Sequence, residues 1–344
     1  MRALVLHHPK DLRLENRENP DPKPDMLQVR IEAGGICGSD LHYYLNGGFG
    51  TVRMSEPMIL GHEVAGRVLS APDDASVSKG DLVAVSPSRN CGTCRFCLQG
   101  LENHCENMRF YGSAMPVPHI QGAFRDVLQA RPDQCHKLSP EVSAFEASCC
   151  EPLSVVLHCL KRAGEVKDRR ILITGCGPMG ALTLLAARAA GAGEITVTDV
   201  TDIALERALH LGADHVVNTV QQGRWSSDLA ARKGSFDIAI EASGAQPAFV
   251  DCLKTLRPRG ILMMLGLGGD LTLARNMLLA KEIDLKGTFR FHAEFADAAR
   301  AISNRSIDLR PIMTGRYPLT EAVAAFDAAA DRNQSLKIHL DFLT

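Results

Sequence analysis

The stretch from Arg170 to Asp199 restricts the possible folds more than any other part of the chain. Arg170-Ile171-Leu172-Ile173-Thr174 is a short apolar run, the pattern of a parallel strand buried on both faces. It leads directly into Gly175-Cys176-Gly177-Pro178-Met179-Gly180, then a helical pattern through Ala190, then a second strand from Glu194 that ends at Asp199. Strand, Gly-x-Gly-x-x-Gly, helix, strand and acid, in that order and separation, form a dinucleotide-binding unit. Gly175 makes the turn, Gly177 lets the backbone approach a pyrophosphate, and Gly180 lets helix pack on strand, with Pro178 and Met179 completing the phosphate-facing turn. Asp199 accepts hydrogen bonds from ribose hydroxyls and repels a 2′-phosphate. The following Val200-Thr201-Asp202-Ile203-Ala204 supply no cation for such a phosphate, so NAD is expected in preference to NADP, which is not excluded. Further strand-helix units follow at His215–Val217, Phe236–Glu241, Gly260–Gly266 and Leu285–Phe289. About six strands alternating with helices are the count of a doubly wound parallel sheet.

The preceding residues have a different texture. Leu4-Val5-Leu6, Leu27 to Glu32, Val64 to Leu69 and Leu82 to Val85 are short alternating or apolar runs separated by proline and glycine. They predict a mostly β, barrel-like domain over about the first 145 residues. A helix is expected from Glu141 to Ala147, with Cys150-Glu151-Pro152-Leu153-Ser154 interrupting it and Glu151 held in place before the proline. After Phe291 two helices precede a last strand, Leu336 to Leu340, expected to return to the first domain. A chain of 344 residues is long for one core, and two domains are expected.

Charge is nearly balanced, 38 Lys and Arg against 40 Asp and Glu, with no basic stripe, which argues against nucleic acid as a partner. No apolar run approaches the roughly 20 residues of a membrane span, and the N-terminal residues lack the long apolar core of a signal peptide. The expectation is a soluble cytoplasmic protein. Its 11 cysteines are clustered, which in a reducing compartment points to metal rather than disulfides. Cys91, Cys94, Cys97 and Cys105 have the spacing of a closed tetrahedral zinc site, which leaves no open position and so is structural. A second concentration of ligand-type side chains is Cys37-Gly38-Ser39-Asp40-Leu41-His42-Tyr43-Tyr44, preceded by Gly34 and Gly35, which are expected to bend the backbone sharply. Gly61-His62-Glu63 adds a further imidazole and carboxylate.

Taken together, Cys37 to His42, Gly61 to Glu63, the four-cysteine lobe, Glu151 to Ser154, Gly175 to Gly180 and Phe289-Arg290-Phe291 resemble the zinc-dependent medium-chain dehydrogenases over essentially the whole length. The resemblance implies an α/β protein in which a GroES-like β-rich catalytic domain (1–148 and 291–344, with a zinc lobe at about 88–108) accompanies a Rossmann domain (149–290). It is nearest to the sorbitol and L-idonate 5-dehydrogenase branch. The loop Met108 to Met115 and the segment His119 to Phe124 look more like the idonate group.

The resemblance carries roles to individual positions. Cys37 and His62 match catalytic-zinc ligands, and the remaining ligand is either Glu63 or Glu151. Ser39 and His42 match a proton relay, with Glu151 beside it and Asp40 orienting His62. Leu265, Gly266, Leu267, Phe289 and Arg290 match segments facing the nicotinamide. Tyr43, Phe49 and Arg290 match substrate-side positions, and Arg109 or Arg290 offers a cation for a substrate carboxylate. One departure is Ala204, where many relatives carry arginine, with Arg207 the nearest substitute. The implied activity is hydride transfer between a secondary alcohol and NAD, with two zinc ions per chain, a sugar-acid or polyol substrate, and a homodimer or homotetramer. A remoter alternative is a non-catalytic dinucleotide-binding zinc protein.

Overall fold

The computed structural model describes residues 1–231 and 233–344. The chain divides into two compact units, Met1–Ser154 with Phe291–Thr344, and Val155–Arg290.

In the second unit the run Arg170–Thr174 is an inner strand of a six-stranded sheet. The strand order is His215–Asn218, Glu194–Asp199, Arg170–Thr174, Phe236–Glu241, Leu256–Met264, Asp284–Gly287. Every pairing is parallel, and chain order against spatial order is that of a doubly wound dinucleotide fold. Ile171, Leu172 and Ile173 are fully buried, as a strand covered by helices on both faces requires. Trp225, Phe236, Phe249, Leu253, Leu256 and Leu262 fill one side of this core. The helix Pro178–Ala189 starts at Gly177, with proline at its first position, where the missing N–H costs no intrahelical bond.

The first unit is built on a seven-stranded sheet. Its path runs Cys135–Lys137, Leu82–Val85, Glu63–Ser70, Leu27–Gly35, Lys337–Asp341, Met313–Pro318, with Val127–Ala130 also pairing with Leu27–Gly35. A three-stranded sheet of Asp11–Asn16, Arg2–His8 and Met58–Ile59 lies beside it in the chain's first half. Val29, Ile31, Val64, Val83, Leu128, Phe124 and Phe326 make the shared core. The last strand returns as expected: His339 pairs with Gly35 and Leu340 with Gly34, antiparallel.

Two local expectations are corrected, and a helix is found where the sequence predicted no element. Gly34 and Gly35 do not bend the chain; both lie in the strand Leu27–Gly35. They are small because of close approach. A Cβ on Gly34 would stand 2.7 Å from the Phe124 ring, and one on Gly35 would stand 2.3 Å from Glu63 Oε2 and 2.9 Å from Lys337 Cε. The run that follows is a helix, Gly38–Asn46, with Cys37 at its N-cap. Its glycine and two tyrosines hide it from propensity. Lastly, the expected interruption is present but falls at Cys149, between the helices Ala144–Ser148 and Cys150–Ala163, and Pro152 sits in the first turn of the second, where backbone N–H groups lack intrahelical partners anyway. Among the described residues no helix is long and apolar enough to cross a membrane.

Candidate active site and metal centres

The four cysteines converge. Cys91, Cys94, Cys97 and Cys105 place their sulfurs within 4.8 Å of one another, and all are free thiols. Individual separations are 3.5 Å for Cys91–Cys105, 3.5 Å for Cys94–Cys97 and 4.0 Å for Cys91–Cys97. A tetrahedral zinc with Zn–S of about 2.3 Å requires sulfur–sulfur edges of about 3.8 Å, so this donor set fits that ion. Backbone N–H groups already point at the sulfurs, Cys91 N at Cys105 Sγ (3.2 Å) and Cys94 N at Cys91 Sγ (3.4 Å). Such donors stabilise thiolates. Those from Thr93 are the largest influence holding Cys91 down to about 5, whereas burial pushes Cys105 up to about 12.

Cys37, His62 and Glu63 form another group whose ligand atoms lie within 4.8 Å of one another. Two elements bring them together. Cys37 caps the helix Gly38–Asn46, Glu63 opens the strand Glu63–Ser70, and His62 precedes it. Asp40, fully buried, ties them: its Oδ2 accepts from Cys37 N and its Oδ1 from Gly61 N, both at 3.1 Å. Asp40 Oδ1 also faces His62 Nδ1 at 3.6 Å, an ion-pair contact too long for a hydrogen bond. His62 Nδ1 and Glu63 Oε2 are buried without a hydrogen bond. Glu63 Oε2 is nevertheless in ion-pair contact with Lys337 Nζ.

The electrostatics suit a cation. Burial, then the charge of Glu63, pushes the Cys37 thiol up to about 12 despite Lys337. A bound divalent ion reverses that balance by favouring the thiolate. One thiol, one imidazole and one carboxylate converging in a buried site fit a catalytic zinc with three protein ligands. Glu151 is buried in the first turn of Cys150–Ala163 and feels His62, Glu63 and Cys37. Burial is the main cause that raises its carboxyl to about 8. It is not part of the convergent group of three.

Around this cluster, Ser39 hydrogen-bonds the Cys37 sulfur. His42 lies three residues further along the same helix, hence on the same face. Burial, then Arg332, lowers the His42 imidazole. Phe49 packs against His42 and Tyr43 at ring distances of 5.8 and 5.5 Å. Tyr43 is buried, and its hydroxyl accepts a hydrogen bond from Ala114 N at 3.2 Å, tying the helix to the 113–120 loop. Arg109 is not brought to the cluster. Its neighbour Phe110 packs 5.5 Å from the His62 ring, and successive strand residues point to opposite faces, so Arg109 is exposed.

Sequence reasoning missed Lys337. Its side chain is 3% exposed, and its ammonium pairs with Glu63 and donates to Ile36 O at 3.1 Å. A signal was present: Lys337, His339 and Asp341 alternate with Ile338 and Leu340 along a strand whose five residues are all buried. Polar residues on one face of a wholly buried strand require partners.

In the second unit, Gly175 has φ of 86° and Gly180 approaches the turn so closely that a Cβ would meet Gly175 O at 1.9 Å. A Cβ on Gly177 would meet nothing within 4 Å, so the helix N-terminus has open space in front of it, the cradle a pyrophosphate needs. Pro178 and Met179 begin that helix. Asp199 Oδ2 accepts from Cys176 N (2.8 Å), and Oδ1 from Val200 N (2.7 Å) and Thr201 N (3.0 Å). The acid is thereby locked at the strand end beside the glycine turn. Leu265 and Gly266 donate their N–H groups to Glu241 O, Leu267 is exposed, and Arg290 lies over the Phe289 ring at 4.9 Å.

A GroES-like β unit with a zinc-type cluster and a four-cysteine lobe, together with a doubly wound dinucleotide unit, defines a class. Residues 23–140 match the alcohol dehydrogenase GroES-like domain and residues 178–304 the zinc-binding dehydrogenases. The chain belongs to the zinc-containing medium-chain dehydrogenases, enzymes acting on CH–OH groups with NAD(P). Within the family it is 38% identical over 315 residues to L-idonate 5-dehydrogenase (NAD(P)(+)) of Escherichia coli, covering 91% of each chain. It is 32% identical to sorbitol dehydrogenase of Bacillus subtilis, covering 98% of this chain and 96% of that one. The crystal structure of the E. coli L-idonate 5-dehydrogenase superposes with a TM-score of 0.95 at 36% identity, over 99% of this chain and 98% of the other.

Proposed function

We propose that this enzyme interconverts L-idonate and 5-keto-gluconate with NAD. The observation that carries the substrate is the 38% identity to the E. coli L-idonate 5-dehydrogenase across 91% of both chains. Cys37, His62 and Glu63 hold the catalytic zinc, with Glu151 near it, and the four-cysteine lobe holds the structural one. Bound zinc supplies Lewis-acid polarisation of a secondary hydroxyl, and bound dinucleotide supplies the acceptor for its hydride. The chain's own residues manage the proton and the orientation. Ser39 takes the hydroxyl proton and passes it along its helix face to His42. The lowered His42 is neutral near pH 7, with a lone pair free to receive that proton. Asp40 fixes the Cys37 and Gly61 backbones and orients His62. Phe49 and Tyr43 shape the substrate side, and Arg290 is the proposed cation for the carboxylate, since Arg109 faces away from His62. Gly175, Gly177 and Gly180 cradle the pyrophosphate, Asp199 reads the ribose and favours NAD, and Leu265 to Leu267 with Phe289 face the nicotinamide.

A polyol dehydrogenase is the second reading, supported by the sorbitol dehydrogenases among the relatives. Turnover of L-idonate and of sorbitol, each with NAD and NADP at matched concentrations, separates the two. Faster turnover of sorbitol overturns the idonate assignment. We also propose a soluble cytoplasmic homo-oligomer paired through the dinucleotide units. The edge strand Asp284–Gly287 supports this, with Leu285 exposed and one side unpaired. Sedimentation giving a monomer removes that part.

A further inference from the structure

Glu241 ends the strand Phe236–Glu241, next to the strand that delivers the glycine turn, and pairs in register with Thr174. It is 1% exposed, yet it makes no ion pair with any described lysine, arginine or histidine. Its charge is met by N–H and O–H groups. Oε1 accepts from Ser243 N (2.8 Å), Gly244 N (2.9 Å) and the Ser243 hydroxyl, and Oε2 from Gly244 N at 3.1 Å. Its backbone carbonyl accepts from both Leu265 N (2.9 Å) and Gly266 N (2.8 Å). A single residue therefore holds two loops at the C-terminal edge of the sheet.

Those loops abut the dinucleotide turn backbone to backbone. A Cβ on Gly175 would lie 3.0 Å from Ser243 Cβ and 3.1 Å from Ser243 Cα. A Cβ on Gly266 would lie 2.4 Å from Gly244 N, and one on Gly244 would lie 2.2 Å from Leu267 O. With no slack between the three loops, displacement of Ser243 and Gly244 is transmitted to the Gly175 turn and to Leu265–Gly268. A buried carboxylate without a cation is costly, and convergent N–H donors offset that cost only while the loop keeps this shape.

We infer that Glu241 is a positioning residue for dinucleotide binding, its carboxylate fixing the Ser243–Gly244 loop against the glycine turn and the Leu265–Gly268 segment. The inference rests on the reading that this turn holds the dinucleotide. The test is NADH fluorescence titration of the full-length, zinc-loaded protein as parent, Glu241→Ala, Glu241→Asp, Glu241→Gln and Phe236→Leu, with melting temperatures measured alongside.

Glu241→Ala strands two N–H groups and is expected to weaken NADH binding by about tenfold or more. Glu241→Asp withdraws the carboxylate by one methylene and is expected to lose about fivefold, carrying the test if the alanine variant does not fold. Glu241→Gln keeps an oxygen for the Ser243 N–H and is expected within about threefold of the parent. Phe236→Leu perturbs the other end of the same strand and is expected to lower the melting temperature without changing NADH affinity. Parent-like affinity in both the alanine and aspartate variants overturns the inference, as does equal weakening in Phe236→Leu. A parent that binds no NADH instead overturns the dinucleotide reading itself, and the inference with it.

Discussion

Replacing Lys337 with methionine probes how the zinc-type cluster is held together without its metal. Methionine keeps most of the aliphatic packing and removes the charge. In the parent, the Glu63 and Lys337 side chains are 1% and 3% exposed and paired, and Lys337 also satisfies Ile36 O at 3.1 Å. Removing one member of a buried ion pair costs about 3–5 kcal/mol, because the other is left charged and unpaired. The Ile36 carbonyl adds about 1 kcal/mol for its lost donor. Glu63 escapes part of this by taking up a proton, so the chelator-treated variant is expected to lose about 3 kcal/mol. With zinc bound, the ion supplies the missing positive charge, and only the Ile36 loss of about 1 kcal/mol persists. Urea unfolding of the parent, Lys337→Met, Glu63→Gln and the double variant, each in chelator and in zinc, measures the coupling. Losses that simply add, or a Lys337→Met loss unchanged by zinc, would refute this account of the pair.

Further expectations concern the metals, a carboxylate and a glycine. Cys37→Ser should abolish turnover and leave thermal stability close to the parent's, because the proposed catalytic-zinc ligand is lost but no fold-closing shell is opened. Cys94→Ser should instead lower the melting temperature and reduce zinc content from two ions towards one; equal thermal losses in both variants would contradict this division. Glu146 is pushed up by burial, but the Ser143 backbone and hydroxyl and the Arg305 guanidinium together hold it below its ordinary 4.5. A depressed folded-state value means its stabilisation is complete above the unfolded value and is lost as pH falls through the folded one. Glu146→Gln should therefore cost about 1–2 kcal/mol at pH 7, and its stability should converge on the parent's only as the pH falls through the lowered Glu146 value. Gly180→Ala places a methyl 1.9 Å from Gly175 O. It should weaken NADH binding by more than tenfold, measured by fluorescence titration; unchanged affinity would show that the turn does not touch the dinucleotide.

Much of the site was legible in the chain because its ligands are local in sequence. Cys91, Cys94, Cys97 and Cys105 fall within one short lobe, and Gly175 to Asp199 form one strand-helix-strand unit, so spacing alone reports their geometry. Cys37 and His62 lie apart, and only the resemblance joined them before the structure did. The alternation around Lys337 says only that it needs a partner; which partner was not legible, because Lys337 comes from the other end of the chain and no local pattern reveals that Glu63 and Lys337 both flank Gly35. That Arg109 is exposed while its neighbour Phe110 packs against His62 follows from strand alternation and was not legible from residue types alone.

The sequence by itself determined the architecture. A fully apolar strand running into a glycine turn has few physical alternatives to a parallel sheet, and four closely spaced cysteines few alternatives to a closed metal shell. Tertiary structure alone decided which carboxylate joins Cys37 and His62 in the convergent group. Glu63 opens the strand beside Gly35 and meets them there, while Glu151 approaches from a helix and stays outside that set. It also decided what the glycines before Cys37 are for. They make no bend; they clear room for Phe124, Glu63 and Lys337. That distinction depends on which side chains come within 3 Å of an absent Cβ, a fact about distant residues that no stretch of sequence contains.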